Sequence, residues 1–425
     1  MHQATDVTDG KWASEEREAL SQIADEGTRC AAGFITRTQN LAIFLAGLAH
    51  VGRRYPTLRR WFLGNRLRQL SVGLAYTASK NGFSTPPRSI SFRPTFLCNA
   101  HCAMCQYANS FDPDIGGTVT SRTQVIDIEV AYRLVDAIAP SHTMLNITGG
   151  EPFLWGENLF ALLDYCRERR VAVSITTNGT FVGRYLDRLL ESSPDVLAVS
   201  LLGPEQIHNE IVGLPAYPMI REALVELHAR KGGDRWERSL VMTNTAMVPG
   251  NGHAFSEVVR LSHSMGACAA NFQPMWFATE EMHDAYEGEP LASNHSLSNA
   301  SYSINPERID AVQVWKSMQR ARVLAAQLGQ AIHFYPRLSQ ADTAVYYHHP
   351  RQPIGRSRAL CAHLLCQVLP DGSVSPCEGH TVGNLYEEDF LQIWNGPAMR
   401  EFRQRLKAAG IFPICTRCCS LWRNE

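Results

Sequence analysis

Residues 93–107 read RPTFLCNAHCAMCQY, which sets Cys98, Cys102 and Cys105 in C-x3-C-x2-C spacing. Three thiolates on one short loop reach one compact metal centre. A closed structural zinc site takes a fourth Cys or His at finger spacing. His101, held inside the loop, is a poor fourth ligand. Three ligands leave one position of a four-iron cluster open for something other than protein. The same spacing also arises in a zinc loop or from three unrelated thiols, so the downstream chain has to decide.

A chain of 425 residues, 45% of them hydrophobic, has material for a large core and for two or more domains. The formal net charge of −1 gives no global field for nucleic acid, and no nucleic-acid partner is expected. Twelve cysteines without a readable signal peptide predict a cytoplasmic protein whose clustered cysteines serve metal or catalysis rather than disulfides. Charge is unevenly placed: between Glu26 and Asp112 there is no acidic residue, while Arg53, Arg54, Arg59, Arg60, Arg66 and Arg68 fall in that interval.

Residues 1–86 read as a basic helical extension. Leu58, Trp61, Phe62, Leu67 and Leu70 fall roughly on helical spacing with arginines between them. Such helices either pack as an accessory layer on the next domain or make a peripheral contact with an anionic membrane. From residue 87 to 280, short apolar strands alternate with helical patterns. Strands are expected at 89–94, 143–148, 171–176, 196–201, 239–248 and 269–274. Helical faces are carried by Ile128, Ala131, Val135 and Ile138, by Leu159, Leu162, Leu163 and Cys166, and by Ile220, Ala223, Leu224 and Leu227. Alternation of this kind builds a parallel sheet with helices outside, and ligands collect at the carboxyl ends of its strands. Residues 281–354 read as a connector that covers the barrel mouth, with a helix over 306–328 and Tyr346, Tyr347, His348 and His349 either at a substrate entrance or in a packed turn. Residues 355–425 read as a small cysteine-rich module.

The second expected strand runs into Gly149-Gly150-Glu151-Pro152. Paired glycines let a backbone approach a ligand closely. The third strand ends at Asn178 and the fourth at Ser200. The cysteine loop with GGEP one strand later resembles the radical S-adenosylmethionine (radical SAM) family. That resemblance implies an α/β fold built on a partial (βα)6 TIM-like barrel, with a [4Fe–4S] cluster on Cys98, Cys102 and Cys105 whose open iron binds SAM. It implies SAM contacts from Gly149, Gly150, Glu151, Asn178, Ser200 and Met104. Sulfatase-maturing relatives read SLDGP…IHD…R where this chain has Leu202, Asn209 and Val212, so the two acids and the arginine of that pattern are missing here. Asn244 and Gln273 are polar residues in apolar strands and point either into the barrel or into an internal hydrogen-bond network.

The tail carries Cys361, a hairpin pattern turning at Asp371-Gly372, Cys377, and then Cys415-Thr416-Arg417-Cys418. It resembles an abbreviated SPASM or twitch module. By that resemblance Cys361, Cys377, Cys415 and Cys418 hold a second, auxiliary [4Fe–4S] cluster, with a zinc site as the other reading of the spacing. Cys366 and Cys419 are left over. Cys30, Cys166 and Cys268 sit in apolar patterns and read as buried hydrophobes.

The resemblance implies reductive cleavage of SAM to a 5′-deoxyadenosyl radical and hydrogen abstraction from an unactivated C–H, with a flavodoxin or ferredoxin as electron donor. Basic residues at the front point to an anionic or lipid-linked intermediate as substrate, and a ribosomal peptide is the alternative. A non-catalytic iron–sulfur electron carrier is a reading of another class, disfavoured by GGEP and Ser200, which a carrier does not need.

Overall fold

A computed structural model of the chain describes residues 57–58, 76, 81–105, 124–235, 237, 239–279, 281–282, 285, 304–355, 358–377, 380–418 and 421. Most of the basic extension, and with it the membrane-contact reading, lies outside these residues.

Ten strands form one sheet: β1 (Ser89–Phe92), β2 (Met144–Ile147), β3 (Val173–Thr177), β4 (Val196–Ser200), β5 (Leu240–Met247), β6 (Ala269–Pro274), β7 (Ala331–Phe334), β8 (Leu365–Val368), β9 (Ser373–Ser375) and β10 (Gly383–Asn384). Their order is β10-β9-β8-β1-β2-β3-β4-β5-β6-β7. Neighbours from β1 to β7 are parallel, and β8 is parallel to β1. The described helices are α1 (Ile128–Ile138), α2 (Glu157–Arg169), α3 (Leu186–Ser192), α4 (Glu205–Val212), α5 (Tyr217–Arg230), α6 (Phe255–Ser264), α7 (Ala311–Leu328), α8 (Gln340–His348), α9 (Phe390–Trp394) and α10 (Pro397–Ala409).

The six expected strands stand where apolar alternation placed them. The sheet extends at both edges beyond that expectation. Residues 331–334, read as part of a connector, form β7 against β6, and the cysteine-rich tail adds β8 beside β1. The tail is therefore continuous with the barrel. The D-G turn is present, with Gly372 at φ +80° and Val368 opposite Val374.

Alternation decides which side chains face the helices. Phe92 packs on Trp155, and Phe272 on Phe255 and Phe334, on the helix side. The other face of the strands looks into the concavity. Its amino end is closed by an apolar floor of Met144, Leu240, Ala269 and Ala331, with Leu58 of the extension packed on it. This contact fits the accessory-layer reading at the one apolar residue of the basic stretch that is described there. The inner face carries two polar rows, Ser91, Asn146 and Ser174 across β1 to β3, and Ser200, Asn244, Asn271 and His333 across β4 to β7, with Val196 rather than Ser200 opposite Ser174. Among the described residues no helix is long and apolar enough to cross a membrane.

Candidate iron–sulfur and SAM site

The cysteine loop leaves the carboxyl end of β1, and two neighbours, the turn after β2 and the end of α4, hold its backbone. Gly150 N donates to Thr95 O at 2.9 Å and Glu151 N to Leu97 O at 2.7 Å. A Cβ on Gly150 would stand 2.1 Å from Leu97 O, and Gly149 sits at φ +130°, so both positions demand glycine. From the other side, His101 N donates to Val212 O at 3.1 Å and Ala103 N to Ile211 O at 2.9 Å. These are carbonyls from the last turn of α4, which lack intrahelical donors. Gly213, at φ +68°, lets His101 come that close.

Cys98 is exposed, and Cys102 and Cys105 are half-buried. Burial pushes the Cys102 thiol up to about 12, with the neighbouring thiols of Cys105 and Cys98 adding to it. Burial also raises Cys98, against the Ala100 amide and with a further push from Glu151 and Cys105. Three thiolates side by side are thus unfavourable until a cation ionises them. Among the described residues no three His, Cys, Asp or Glu side chains are gathered tightly enough to hold a single ion. A cubane cluster spreads its thiolates wider than one ion does, which agrees with a loop that forms no single-ion cage.

The side chain of Glu151 is turned into the protein. Its carboxylate is fully buried and accepts from Thr177 Oγ1 (2.8 Å), Asn178 N (2.8 Å) and Phe153 N (3.2 Å). What the Gly149-Gly150-Glu151 turn can offer a ligand is backbone. Asn178 stands at the cysteine loop: its Nδ2 donates to Asn99 Oδ1 at 2.8 Å and faces Cys98 Sγ at 3.8 Å. Met104 is half-buried against the core. Ser200 ends β4 on the concave face, in register with Asn244.

The three departures from the sulfatase-maturing pattern acquire places. Leu202 is buried in the core, and its N–H donates to His208 Nδ1 at 3.1 Å. Burial lowers His208 to about 4, so the ring is neutral. Asn209 Oδ1 accepts from Tyr217 N at the start of α5, and Val212 supplies a carbonyl to the cysteine loop. The bracing role of α4 was not read from the sequence, although Gly213 marks the close approach.

In the tail, Cys361 opens a short 3-10 turn, Cys377 follows β9, and Cys415 and Cys418 lie in and after the turn Pro413–Arg417. Burial, and next the Cys361 thiol, push Cys415 up to about 12, and Ala359 N donates to Gly410 O at 2.9 Å between the two ends of the module. Cys366 points into the core from β8 and takes no part. Cys166 and Cys268 are buried hydrophobes as read; Cys30 and Cys419 lie outside the described residues. Arg417 is fully buried and, among the described residues, has no carboxylate partner. It donates to the carbonyls of Val345, Tyr346, His349, Gln352 and Thr416, most of them at the carbonyl end of α8. Tyr346 and Tyr347 are buried there, in a packed helix end, while His348 and His349 are exposed.

Residues 92–261 match the family model described as Radical SAM superfamily, and residues 361–419 match the iron–sulfur cluster-binding SPASM domain. Together the two matches span more than half of the chain. The chain belongs to the radical SAM superfamily. It carries a SPASM module, and the two domains imply a SAM-binding [4Fe–4S] cluster and auxiliary cluster chemistry.

Among solved structures, the radical SAM chain is similar to Streptococcus suis SuiB bound to S-adenosylmethionine. The TM-score is 0.55 at 15% identity, covering 80% of this chain and 74% of that one. A structure of SuiB bound to precursor peptide SuiA has a TM-score of 0.55 at 13% identity, covering 78% and 69%. Native anSMEcpe with bound AdoMet has a TM-score of 0.51 at 18% identity, covering 74% and 82%. At these identities the likeness concerns the fold. No curated protein sequence matches the chain.

Proposed function

We propose that this enzyme abstracts hydrogen from an unactivated carbon of a substrate held in the mouth of the barrel. The reading is carried by Cys98, Cys102 and Cys105 on one loop at the carboxyl end of β1, clamped by backbone from the β2 turn and α4. When bound there, the [4Fe–4S] cluster supplies the electron that cleaves SAM to methionine and a 5′-deoxyadenosyl radical. The chain's own part is to present three thiols, aim Asn178 at the loop, and offer backbone from Gly149 and Gly150 and the hydroxyl of Ser200 to the cofactor. The floor of Met144, Leu240, Ala269 and Ala331 closes the amino end against water.

Cys361, Cys377, Cys415 and Cys418 would hold the auxiliary cluster. Cys361 precedes β8, and the Cys415–Cys418 turn reaches the chain just beyond β6 through Tyr346, whose hydroxyl lies 3.0 Å from Arg417 O and 3.4 Å from Met275 O. Relay of electrons and direct contact with substrate are both roles open to such a cluster. A flavodoxin or ferredoxin is the proposed reductant, in the cytoplasm.

Two substrate classes follow from the sequence: an anionic or lipid-linked intermediate, and a peptide. The first rests on basic residues mostly outside the described ones. The second is supported by the similar fold of SuiB, which one structure shows bound to a precursor peptide. The test is anaerobic reconstitution, then dithionite and SAM, with 5′-deoxyadenosine assayed. The wild type should form it and a Cys98→Ala/Cys102→Ala/Cys105→Ala variant should not, with about eight irons falling to about four. Zinc in place of iron, or no SAM cleavage under any reductant, returns the chain to a carrier or scaffold.

A further inference from the structure

The inner wall of the barrel names the chemistry of what it holds. None of the ten strands carries an Asp, Glu, Lys or Arg. The one ionisable ring on the inner face is His333, which burial, with Arg337 and Arg322 nearby, pushes below its ordinary value and toward the neutral form. A phosphorylated or carboxylated substrate segment buried against these strands would find no counter-charge on them, at a cost of several kcal/mol, roughly.

One row of this wall is built for hydrogen bonding. Ser200, Asn244, Asn271 and His333 stand in register across β4, β5, β6 and β7. Asn271 Nδ2 donates to Asn244 Oδ1 at 3.0 Å. Both side chains are half-buried, and among the described residues neither has another partner. The opposite faces of their strands are taken up with helix contacts: Thr243 Oγ1 bonds Ser262 of α6, and Phe272 packs on Phe255. Turned either way, two paired carboxamides spend one donor and one acceptor on each other and keep at least one of each. A donor and an acceptor side by side are the complement of the N–H and C=O of one residue in an extended chain, which come from two successive secondary amides and point the same way.

Beyond Ser200, the Asn244–Asn271 part of the row lies away from the cysteine loop. Four strand spacings separate β1 from β5, about 19 Å along the sheet. The loop's neighbours come from the β2 turn, the end of β3 and α4. Curvature brings the walls together around a cofactor, and the β5–β6 wall is where a second molecule would face it.

We propose that the Asn244–Asn271 pair is a substrate subsite for a neutral extended segment bearing two successive secondary amides, peptide-like in chemistry and unphosphorylated. This rests on the hydrogen-abstraction reading for what happens next, and its test is independent of that reading. Binding of N-acetyl-serine methylamide to the reconstituted, SAM-loaded protein is measured by saturation-transfer NMR titration, beside N-acetyl-O-phosphoserine methylamide. The neutral probe should bind, and the phosphorylated one at least about tenfold more weakly. Asn244→Leu and Asn271→Leu keep side-chain shape without hydrogen bonds and should each weaken the neutral probe about five- to tenfold. Asn244→Ser and Asn271→Ser serve if the leucine variants do not fold, as judged by circular dichroism.

The proposal is overturned if the neutral probe does not bind, if the phosphorylated probe binds as well or better, or if the substitutions leave neutral-probe binding unchanged. It is also overturned if they weaken labelled SAM in equilibrium dialysis as much as the probe, which would make the pair a cofactor contact. Probe binding lost in the variants while the wild type makes no 5′-deoxyadenosine would leave the subsite standing and sink the reaction.

Discussion

Gly150→Ala puts the assembly of the cysteine loop to a direct test. The added Cβ would stand 2.1 Å from Leu97 O and 2.5 Å from Phe96 O, where ordinary contact begins near 3.4 Å. Both atoms are backbone, so no side-chain rotamer relieves the clash and the loop itself must withdraw. Withdrawal breaks the bonds from Gly150 N to Thr95 O and from Glu151 N to Leu97 O. Two backbone bonds at about 1 kcal/mol each and an overpacking cost of about 1–3 kcal/mol bring the local loss to about 3–5 kcal/mol. Cys98, one residue beyond Leu97, moves with it. Iron and sulfide after anaerobic reconstitution are the assay, with the auxiliary iron as internal reference: about eight irons should fall toward about four, and 5′-deoxyadenosine formation should disappear. Gly329→Ala is the control, because Gly329 also has positive φ (+63°), in the ordinary left-handed helical region, but nothing lies within 4 Å of its Cβ. It should cost only about 1 kcal/mol and leave iron unchanged. A Gly150→Ala protein with full iron and SAM cleavage within twofold of wild type would refute the clamp.

Removing Cys361, Cys377, Cys415 or Cys418 one at a time should lower auxiliary iron and spare the SAM cluster, while Cys366→Ala should leave both counts unchanged; iron analysis after removal of the SAM-site cysteines separates them. Arg417→Met strips donors from the carbonyls at the end of α8 and should lower stability by about 3–5 kcal/mol in urea titrations, with Arg417→Lys intermediate. Burial raises the Glu151 carboxyl from 4.5 to about 7, against the donors on Asn178, Thr177 and Phe153. The folded chain then keeps a proton that the unfolded chain has released. That contribution is full below about pH 4.5 and is lost as pH rises through about 7, roughly 3 kcal/mol in all. Urea midpoints of the metal-free protein between pH 4 and 8 should show this decline, and Glu151→Gln should flatten it; parallel curves would dismiss the shift.

Local rules made the centre of this molecule readable, and long-range register hid its edges. Six barrel strands and the helices between them announce themselves by period. Leu159, Leu162, Leu163 and Cys166 share a face in the sequence and are buried together on α2. Residues 331–334 have the same apolar character as their neighbours, but only their pairing with β6 makes them a barrel strand. The placing of β8 beside β1 joins residues more than 270 positions apart, and no local propensity encodes that choice.

The candidate site divides in the same way. Three cysteines, GGEP and Asn178 are legible because each chemistry needs its residue type in place. The part Glu151 plays is less legible, because only the folded chain shows its carboxylate accepting from Phe153, Thr177 and Asn178. What Glu151 does is join the β2 turn to the end of β3, and so set Asn178 against Cys98. A buried carboxylate raised toward neutrality is a costly joint to build at a metal loop. Its presence follows if the position of Asn178, and hence of the Cys98 thiolate, matters more to this protein than the stability the carboxylate gives up above pH 7.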